Sequence, residues 1–545
     1  MKKYFAFLVL YVSCIVVADA QSYSEILGRP TDTSITISVM FDQDMDVYWE
    51  YGTTSGVYTS TTPVYALLDS IPLEADFTQL TTNTKYYYRT RYRLANTATV
   101  FSAGTEHTFH TQRPPGSSFS FAVEADPHLD TNCIFSTLTM TMQNMLAKNV
   151  DFMVDLGDNF LSEKYVFQTG TQQYIPHYQD TIKKRTVLYR SYFGTAAHSA
   201  PLFLTIGNHE GELGWKLNGT DSSMPVLAAN LRKLYYPNPS PNGFYTGNDS
   251  AETFVGLRED YYAWHWGDAL FIVIDPYWFT KISKRAGWGW TLGSRQFNWF
   301  KNTIRNSTAK YKFVFCHQLV GGNGSDARGG TEYADLFENG GRSSDSTWDF
   351  DSARIHWEEP LHALMIENKT SIYFHGHDHC YAKQDKDGLV YLEVPQPAAK
   401  NINTFTGSTP GYDYTHGTLR PSRGYILVNV SSDSVKVDYV KTYLPSEENG
   451  TRHNLDIDTS FVIKDPGVQP SVTYTFTGDG NWDIPSNWIS NQIPPAVLPA
   501  GSSIIIDPIP GGTCLLNTTQ VIATGATITI KSGKLLQAPG SVLKH

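Results

Sequence analysis

The chain has 545 residues, more than one hydrophobic core usually holds, and this length predicts roughly two to four domains. Hydrophobic residues make up 41% and charged residues only 17%, and the 33 tyrosines favour β-rich structure with an extracellular surface. The formal net charge is −11 and there is no long basic run, so nucleic-acid binding has no electrostatic support.

Residues 1–20 have the pattern of a secretory signal peptide. Two lysines precede an apolar run, and Ala18-Asp19-Ala20 is an A-x-A cleavage site that would leave Gln21 as the first mature residue. The run is too short to span a bilayer comfortably, and no later segment is long and apolar enough to do so. The four later cysteines show no disulfide framework. We therefore expect a secreted, periplasmic or cell-surface protein.

Residues 23–112 predict a β-sandwich of fibronectin or immunoglobulin type. Apolar side chains alternate with polar ones in several short runs, for example at Ile35, Ile37 and Val39. Glycine- and threonine-rich segments separate these runs, and short strands at such spacing over roughly 90 residues are typical of a sandwich. A linker rich in proline, glycine and serine follows.

In residues 117–443 the spacing of apolar residues differs from that of the N-terminal module and predicts an α/β layered domain. Apolar strand-like runs, such as 119–125 and 152–156, alternate with stretches in which apolar residues recur at helical spacing, such as 134–148. We interpret residues 444–470 as a polar connector.

Residues 471–545 return to β-like alternation and predict a small C-terminal β module. Two segments, 478–482 (GDGNW) and 486–488 (SNW), resemble a repeat unit found on secreted bacterial surface proteins, and only one copy is visible. We expect a structural or adhesive module, through which the protein would attach to the cell surface.

Five short polar motifs of the central domain each follow a predicted strand, where α/β sheets place ligands and catalytic groups. In chain order they are Asp126-Pro127-His128, Gly157-Asp158-Asn159, Gly207-Asn208-His209-Glu210, His317, and Gly376-His377-Asp378-His379. Taken singly, several of them are common turns; their joint occurrence in this order favours a metal site over coincidence.

The residue types in the motifs suit hard to borderline divalent cations. Carboxylate, amide oxygen and imidazole are present, and thiolate is absent from the motifs. A pair of cations about 3.5–4 Å apart that clamps one phosphate needs a bridging carboxylate. The glycines at 157, 207 and 376 would let the backbone turn so that the side chains converge. His375 lies within a predicted strand, so we expect it to be buried or to support a ligand.

The five motifs in this order resemble the calcineurin-like metallophosphoesterase family over about residues 117–443. The resemblance implies a central α/β/β/α sandwich that binds two divalent metal ions, manganese, iron or zinc. Carried over by residue, the first metal would be held by Asp126, His128, Asp158 and His379. The second would be held by Asn208, His317 and His377, with Asp158 as the bridge. His209 would face the substrate as a proton donor or phosphate ligand, and Asn208 would lie beside it.

An N-terminal sandwich before such a domain also resembles purple acid phosphatases. The sequence departs from their pattern at two positions. Leu161 stands where those enzymes have a tyrosine ligand, and His128 stands where they have a residue other than histidine. The iron(III) tyrosinate chromophore is therefore not expected here.

Arg328 lies in a glycine-rich loop soon after His317 and is a candidate for bidentate binding of a substrate phosphate. The alternative is a solvated loop without contact to substrate. Four aromatic residues would either line a substrate cleft or, more commonly, pack in the core: Tyr277, Trp278, Trp288 and Trp290.

Together these features predict a secreted phosphoesterase that hydrolyses a small-molecule phosphate ester by attack of a metal-activated water. An acid-phosphatase-like phosphomonoesterase is our first interpretation. A phosphodiesterase or nucleotide pyrophosphatase would use the same ligands, because the motifs bind phosphate rather than the leaving group. A surface binding protein with an inactive enzyme domain is the third alternative, and the complete ligand set argues against it.

Overall fold

The computed structural model of the protein describes residues 23–168, 173–282, 286–464, 472–495, 497–498, 501–522, 525–539 and 542–544. The predicted signal peptide over residues 1–20 lies outside this part of the chain. Among the helices of the described residues, none combines the length and the apolar character needed to cross a membrane.

The N-terminal module consists of two antiparallel sheets around one core. One sheet has the order β1-β2-β6; the other has the order β4-β3-β7-β8, with β5 added beside β3 and β9 beside β7. The predicted alternation holds, because Ile35, Ile37 and Val39 all point into the shared core. The fibronectin or immunoglobulin type stays a prediction. The strands are β1 (Tyr23–Gly28), β2 (Ile35–Phe41), β3 (Met45–Gly52), β4 (Ser60–Thr61), β5 (Tyr65–Leu67), β6 (Leu73–Phe77), β7 (Lys85–Leu94), β8 (Ser102–Ala103) and β9 (His107–His110).

The central domain is built from two larger sheets with helices outside them. Its strands are β10 (Phe119–Glu124), β11 (Phe152–Asp155), β12 (Leu202–Leu204), β13 (Thr246–Gly247), β14 (Tyr262–Trp266), β15 (Ala269–Val273), β16 (Tyr311–Phe315), β17 (Ile372–His375), β18 (Tyr381–Lys386), β19 (Leu389–Glu393), β20 (Thr418–Arg420), β21 (Gly424–Val430), β22 (Ser434–Lys441) and β23 (Ile457–Lys464). Its α-helices are α1 (Phe135–Ala147), α2 (Ser162–Tyr165), α3 (Tyr178–Ala197), α4 (Met224–Tyr235), α5 (Gly293–Asn306), α6 (Phe337–Gly340), α7 (Phe350–Ala353) and α8 (Leu361–Glu367).

The two central sheets pack face to face. One has the order β12-β11-β10-β21-β22-β23 and the other the order β13-β14-β15-β16-β17-β19-β18-β20. Their facing sides form an aromatic-rich core that includes Phe121, Phe152, Phe271 and Phe374. Two further apolar clusters lie between the sheets and the outer helices. This is the α/β/β/α arrangement that the motifs implied.

The central sheet extends past the predicted boundary at residue 443. Strand β23 lies within the segment 444–470 that the sequence predicted as a polar connector, and it pairs antiparallel with β22. No side chain of β23 is fully buried, and exposed positions alternate with half-buried ones along most of the strand.

The N-terminal module rests on helix α3. The guanidinium of Arg190 is buried and donates to the carbonyl oxygens of Ser38 and Tyr235, and to the hydroxyl of Ser24. The hydroxyl of Tyr88 donates to the carbonyl of His198 at 2.6 Å. The contact with Arg190 explains why β2 also buries Ser38, on the face that points away from its own core.

The C-terminal module is a stack of parallel strands. Its three sheets have the orders β24-β27-β30, β25-β28-β31 and β26-β29-β32, each of them parallel. Trp482 and Trp488, from the two repeat-like segments, are buried; Trp488 packs against Phe476, and Trp482 packs against Trp488. The strands are β24 (Thr473–Phe476), β25 (Gly480–Asn481), β26 (Val497–Leu498), β27 (Ser503–Ile506), β28 (Thr513–Leu516), β29 (Thr519–Ile522), β30 (Thr527–Ile530), β31 (Lys534–Gln537) and β32 (Val542–Lys544).

Candidate metal centre

The five sequence motifs converge because they follow strands that are neighbours in space. β10, β11 and β12 are adjacent and parallel in one sheet, and β16 and β17 are adjacent and parallel in the other. The carboxyl ends of parallel strands meet at the same edge of a sheet. The motifs therefore meet where the edges of the two packed sheets face each other.

A first group of ligand atoms gathers around Asp126. The side chains of Asp126, His128, Asp158 and His379 offer atoms that all lie within 4.8 Å of one another. Nε2 of His128 is 3.4 Å from Oδ2 of Asp158, and Nε2 of His379 is 3.4 Å from Oδ1 of Asp126. This is the set that the sequence assigned to the first metal.

A second group gathers around His317. Asp158, His317 and His377 offer atoms within the same 4.8 Å limit. Nε2 of His317 is 3.2 Å from Oδ2 of Asp158, 3.2 Å from Nδ1 of His377 and 3.1 Å from Oδ1 of Asn208. The predicted ligands of the second metal are thus brought together, and Asp158 belongs to both groups.

The two carboxylates each direct one oxygen into the centre. Oδ1 of Asp158 accepts the backbone N–H of His209 at 2.8 Å, and Oδ2 of Asp126 accepts the backbone N–H of His377 at 2.8 Å. Oδ1 of Asp126 and Nε2 of His128 are buried and have no hydrogen-bond partner among the described residues. Buried polar atoms are normally satisfied, so these two orphaned atoms fit a bound cation.

Hydrogen bonds to carbonyl groups set the orientation of two imidazoles. Nδ1 of His317 lies 2.8 Å from the carbonyl oxygen of Leu156, and Nε2 of His377 lies 2.7 Å from that of Asp326. Because a carbonyl only accepts, each of these nitrogens carries the proton. The opposite nitrogen of each ring then presents a lone pair to the second group, as in most protein metal sites.

The backbone of the motifs is unusual. Asp126, His128, Asp158, His377 and His379 all have φ in the left-handed region. Aspartate and histidine tolerate this region better than most residues, yet each instance costs about 1–3 kcal/mol. Such strain is concentrated at functional sites, where the surrounding contacts hold it in place.

The glycines of the motifs serve close packing more than turning. Only Gly157 among the three has a positive φ, +95°. A Cβ on Gly376 would lie 2.5 Å from Oδ2 of Asp126, and one on Gly207 would lie 2.4 Å from Oδ1 of Asp158. We predicted that all three glycines allow sharp backbone turns, and this holds for Gly157. Gly207 and Gly376 instead leave room for the carboxylates of Asp158 and Asp126 to lie against the backbone.

Glu210 ties two of the motifs together, a role that the sequence did not reveal. Its buried carboxylate accepts the backbone N–H groups of Asp158 at 2.9 Å and Asn159 at 2.6 Å, and also that of Gly207. Its position next to His209 in the third motif was the only signal available from sequence.

Arg328 contacts the fifth motif. One of its guanidinium nitrogens lies 3.0 Å from the carbonyl oxygen of His377 and 3.1 Å from Oδ1 of Asp378, and the group stacks on Tyr412 at 4.6 Å. Oδ2 of Asp378 accepts from the backbone of Gly329. The glycine-rich loop is therefore packed against the ligand loop, and the arginine side chain is 26% exposed.

His375 lies at the end of β17 and is buried, outside both ligand groups. Its Nδ1 is 2.8 Å from Oε2 of Glu393, and the other carboxylate oxygen of Glu393 accepts the backbone N–H of Asp378. Burial lowers the pKa of His375 to about 3, so the ring is neutral. It supports the loop that carries His377 and His379, as its place within the strand predicted.

The mouth of the centre lies at His209 and His379. Their side chains are 25% and 34% exposed, whereas that of His128 between them is only 7% exposed. Nε2 of His209 is 3.8 Å from Oδ2 of Asp158, and its ring lies 5.2 Å from that of His128. His209 is thus beside the ligands and open to solvent.

The charge of the centre favours cations. Burial lowers the pKa of His128, but Asp126 and Asp158 outweigh it and raise this pKa to about 9. The same carboxylates raise the pKa of His317 to about 9 against the effect of burial. Without metal the two carboxylates attract protons onto the imidazoles of His128 and His317, and a bound cation would replace these protons. Burial instead lowers the pKa of His377 and of His379.

The remaining sequence candidates are structural. Tyr277, Trp278 and Trp290 are almost fully buried and belong to the core. Cys316 and Cys380, which adjoin ligands, are buried free thiols, and burial raises the pKa of Cys316 to about 12. A thiol with a raised pKa is a poor nucleophile.

Comparison with known proteins agrees with this geometry. Residues 119–381 match the family model described as calcineurin-like phosphoesterase. Comparison with curated proteins gives no match.

Solved structures share the fold. A purple acid phosphatase from yellow lupin (Lupinus luteus) seeds is 15% identical, with a TM-score of 0.54 over 82% of this chain and 74% of that one. PhoD is also 15% identical, with a TM-score of 0.55 over 81% of this chain and 90% of that one. At this identity the likeness concerns the fold. The central domain therefore belongs to the calcineurin-like phosphoesterase family, and the chain is a phosphoric ester hydrolase with an architecture like that of purple acid phosphatases.

Proposed function

We propose that the protein is a secreted phosphomonoesterase that works with two divalent cations. The observation that carries this proposal is the position of Oδ2 of Asp158, which lies 3.4 Å from Nε2 of His128 in one ligand group and 3.2 Å from Nε2 of His317 in the other. One carboxylate oxygen placed between two sets of nitrogen and oxygen ligands is the arrangement that a bridged metal pair requires.

The ligands that we propose are Asp126, His128, Asp158 and His379 for one cation and Asp158, Asn208, His317 and His377 for the other. Oxygen and imidazole donors without thiolate suit manganese, iron or zinc. When bound, the pair supplies Lewis-acid activation of a water nucleophile and neutralises charge on the phosphate.

His209 is the proposed proton donor to the departing alcohol. Its side chain is partly exposed at the mouth, and its backbone is fixed by the N–H bond to Asp158. An imidazole titrates near neutral pH and can pass a proton to an alkoxide or donate a hydrogen bond to a phosphoryl oxygen. The amide of Asn208 adjoins it and would share in holding the substrate phosphate.

For Arg328 we propose a positioning role. Its contacts with the carbonyl of His377 and with Asp378 hold the loop between these residues. The bidentate phosphate contact that the sequence suggested would have to compete with these bonds.

The experiment that tests the proposal is a substrate screen of the purified protein with manganese, zinc or iron. Phosphomonoesters should be hydrolysed faster than diesters and nucleotide pyrophosphates, and chelation should abolish the activity. Preference for a diester or a pyrophosphate would replace the monoesterase by the alternative activity on the same site. A metal-loaded protein that hydrolyses none of the esters would support the binding-protein alternative.

Secretion is tested separately, by sequencing the amino terminus of the protein that cells export. Removal of residues 1–20 would leave Gln21 at the amino terminus, and an intact leader on protein retained in the cytosol would contradict secretion. The C-terminal module is the proposed means of attachment to the cell surface.

A further inference from the structure

A small open cleft of about 290 Å³ borders the metal centre at His379. Pockets that bind ligands usually have volumes of about 300–1,000 Å³, so this one would hold a single small group. The other end of the cleft is formed by the segment that includes Thr404 and Thr406.

The floor of the cleft is held by the same segments as the ligands. The buried side chain of Gln396 donates to the carbonyl oxygen of Asp126 at 2.9 Å. The hydroxyl of Ser422, also buried, donates to the carbonyl oxygen of His379 at 2.6 Å. A group bound in the cleft is therefore placed at a fixed position relative to two ligands of the first cation.

The rim of the cleft carries polar groups that are available to a ligand. The side chains of Asn132, Thr404 and Thr406 are exposed and line the cleft. Among the described residues, their amide and hydroxyl groups make no side-chain hydrogen bond. Lys400 adds an ammonium group that donates to the carbonyl oxygen of Thr131.

The chemistry of the lining selects the kind of group that fits. The lining contains no carboxylate and no phenyl, phenol or indole ring. A nucleobase or an aryl group is usually held by stacking on an aromatic ring. Amide and hydroxyl groups instead match the hydroxyls of an alcohol, because each of them can both donate and accept a hydrogen bond.

A second cleft provides a contrast. It has a volume of about 660 Å³ and is lined by Leu129, Phe135 and Tyr165 among others. None of the ligand residues lines it. Of these two clefts, only the polar one is lined by a proposed metal ligand, His379.

We propose that the polar cleft binds the leaving alcohol and that the substrate is a phosphomonoester of a sugar or polyol. This inference rests on the proposed function. In the reaction, the ester P–O bond breaks and a bond forms between phosphorus and a water oxygen. The alcohol departs with a proton, and its remaining hydroxyls bind to Asn132, Thr404 and Thr406.

The test compares glucose 6-phosphate and glycerol 3-phosphate with p-nitrophenyl phosphate. The variants are Asn132→Ala and the double variant Thr404→Val with Thr406→Val; Phe135→Ala in the apolar cleft is the matched control. Since each lost hydrogen bond costs about 1 kcal/mol, the loss of two in the double variant should lower kcat/KM for the sugar and polyol esters about thirtyfold. p-Nitrophenyl phosphate makes none of these bonds and should be affected far less.

Equal losses on all esters, or no loss on any, would overturn the assignment of the cleft. So would a control variant that reproduces the selective loss. Saturation-transfer NMR with glucose or glycerol alone gives a second readout that needs no turnover, and its signal should weaken in the double variant. If metal-loaded wild type hydrolyses no ester, the proposed function fails, while the NMR result still decides whether the cleft binds the alcohol.

Discussion

The backbone N–H of His209 donates to Oδ1 of Asp158 at 2.8 Å, while Nε2 of the same histidine lies 3.8 Å from Oδ2 of that aspartate. The first contact fixes the carboxylate so that Oδ2 faces both ligand groups. The second places a partly exposed imidazole beside them. One turn of the chain thus orients the proposed bridge and presents the proposed proton donor.

His209 could act as a proton donor to the leaving alcohol or as a ligand of the phosphate. The variant His209→Ala distinguishes these two roles when esters with good and poor leaving groups are compared. A general acid matters most for a poor leaving alcohol, so His209→Ala should slow alkyl esters far more than p-nitrophenyl esters. General-acid catalysis typically contributes roughly 10²- to 10⁴-fold, and metal content should be unchanged. The exposed His265, outside both ligand groups, provides the matched control, His265→Ala. Equal slowing of both ester types would leave phosphate binding as the role, and loss of metal would make His209 a ligand or its support.

The variant Gly376→Ala tests whether the backbone at this position must leave room for the carboxylate of Asp126. An alanine there would place its Cβ 2.5 Å from Oδ2 of Asp126, so Gly376→Ala should displace this carboxylate and weaken metal binding by at least tenfold. Gly450→Ala is the matched control, because a Cβ at that position meets nothing within 4 Å. Metal titration of both variants measures the difference. Unchanged affinity in Gly376→Ala would mean that Asp126 does not hold the first cation.

The protein should lack the visible charge-transfer band of purple phosphatases, even when loaded with iron. Leu161 is buried at the position of their tyrosine and cannot supply a phenolate. Tyr277 has its ring 6.2 Å from that of His317, but its hydroxyl donates to Oε1 of Gln318 at 2.9 Å. An absorption spectrum of the iron-loaded protein checks this. An intense visible band would show that a tyrosine had reached the metal.

Stability should depend on pH through Glu25. Burial raises the pKa of this carboxyl from about 4.5 to about 7, and Nε2 of His107 lies 3.5 Å from it. Between these values the folded protein keeps the proton that the unfolded chain releases, so the stability present at low pH is lost as pH rises through about 7. The penalty at pH 8 is about 3 kcal/mol. Glu25→Gln should remove it, raising the melting temperature more at pH 8 than at pH 5. Parallel pH profiles for wild type and variant would refute this account.

The convergence of the candidate ligands was predictable from sequence because local patterns mark the five motifs, and the family resemblance implied which residues would hold each metal. Each motif follows an apolar strand, and parallel strands bring their carboxyl ends together. The supporting contacts were not predictable in this way. Glu393 bonds to Asp378, 15 positions away, and Gln396 bonds to Asp126, 270 positions away, so no local pattern marks them. The partner of Arg328 is likewise 50 positions distant.

In the C-terminal module, strand pairing could not be predicted from the sequence. Its strands alternate in the expected way, but their parallel stacking arises between segments with little resemblance, such as β24, β27 and β30. Without a visible repeat, alternation predicts strands and leaves the pairing open. Of the two tryptophans in the repeat-like segments, Trp488 packs against Phe476 in β24 and Trp482 packs against Trp488.

The bridging position of Asp158 is the central claim, and metal content tests it most directly. Wild type reconstituted with manganese, zinc or iron should bind two ions per chain. Asp158→Ala should lose metal and nearly all turnover while its circular dichroism stays that of the folded protein, because Oδ2 lies within both ligand groups. A folded variant that still binds two metal ions per chain would contradict the bridge.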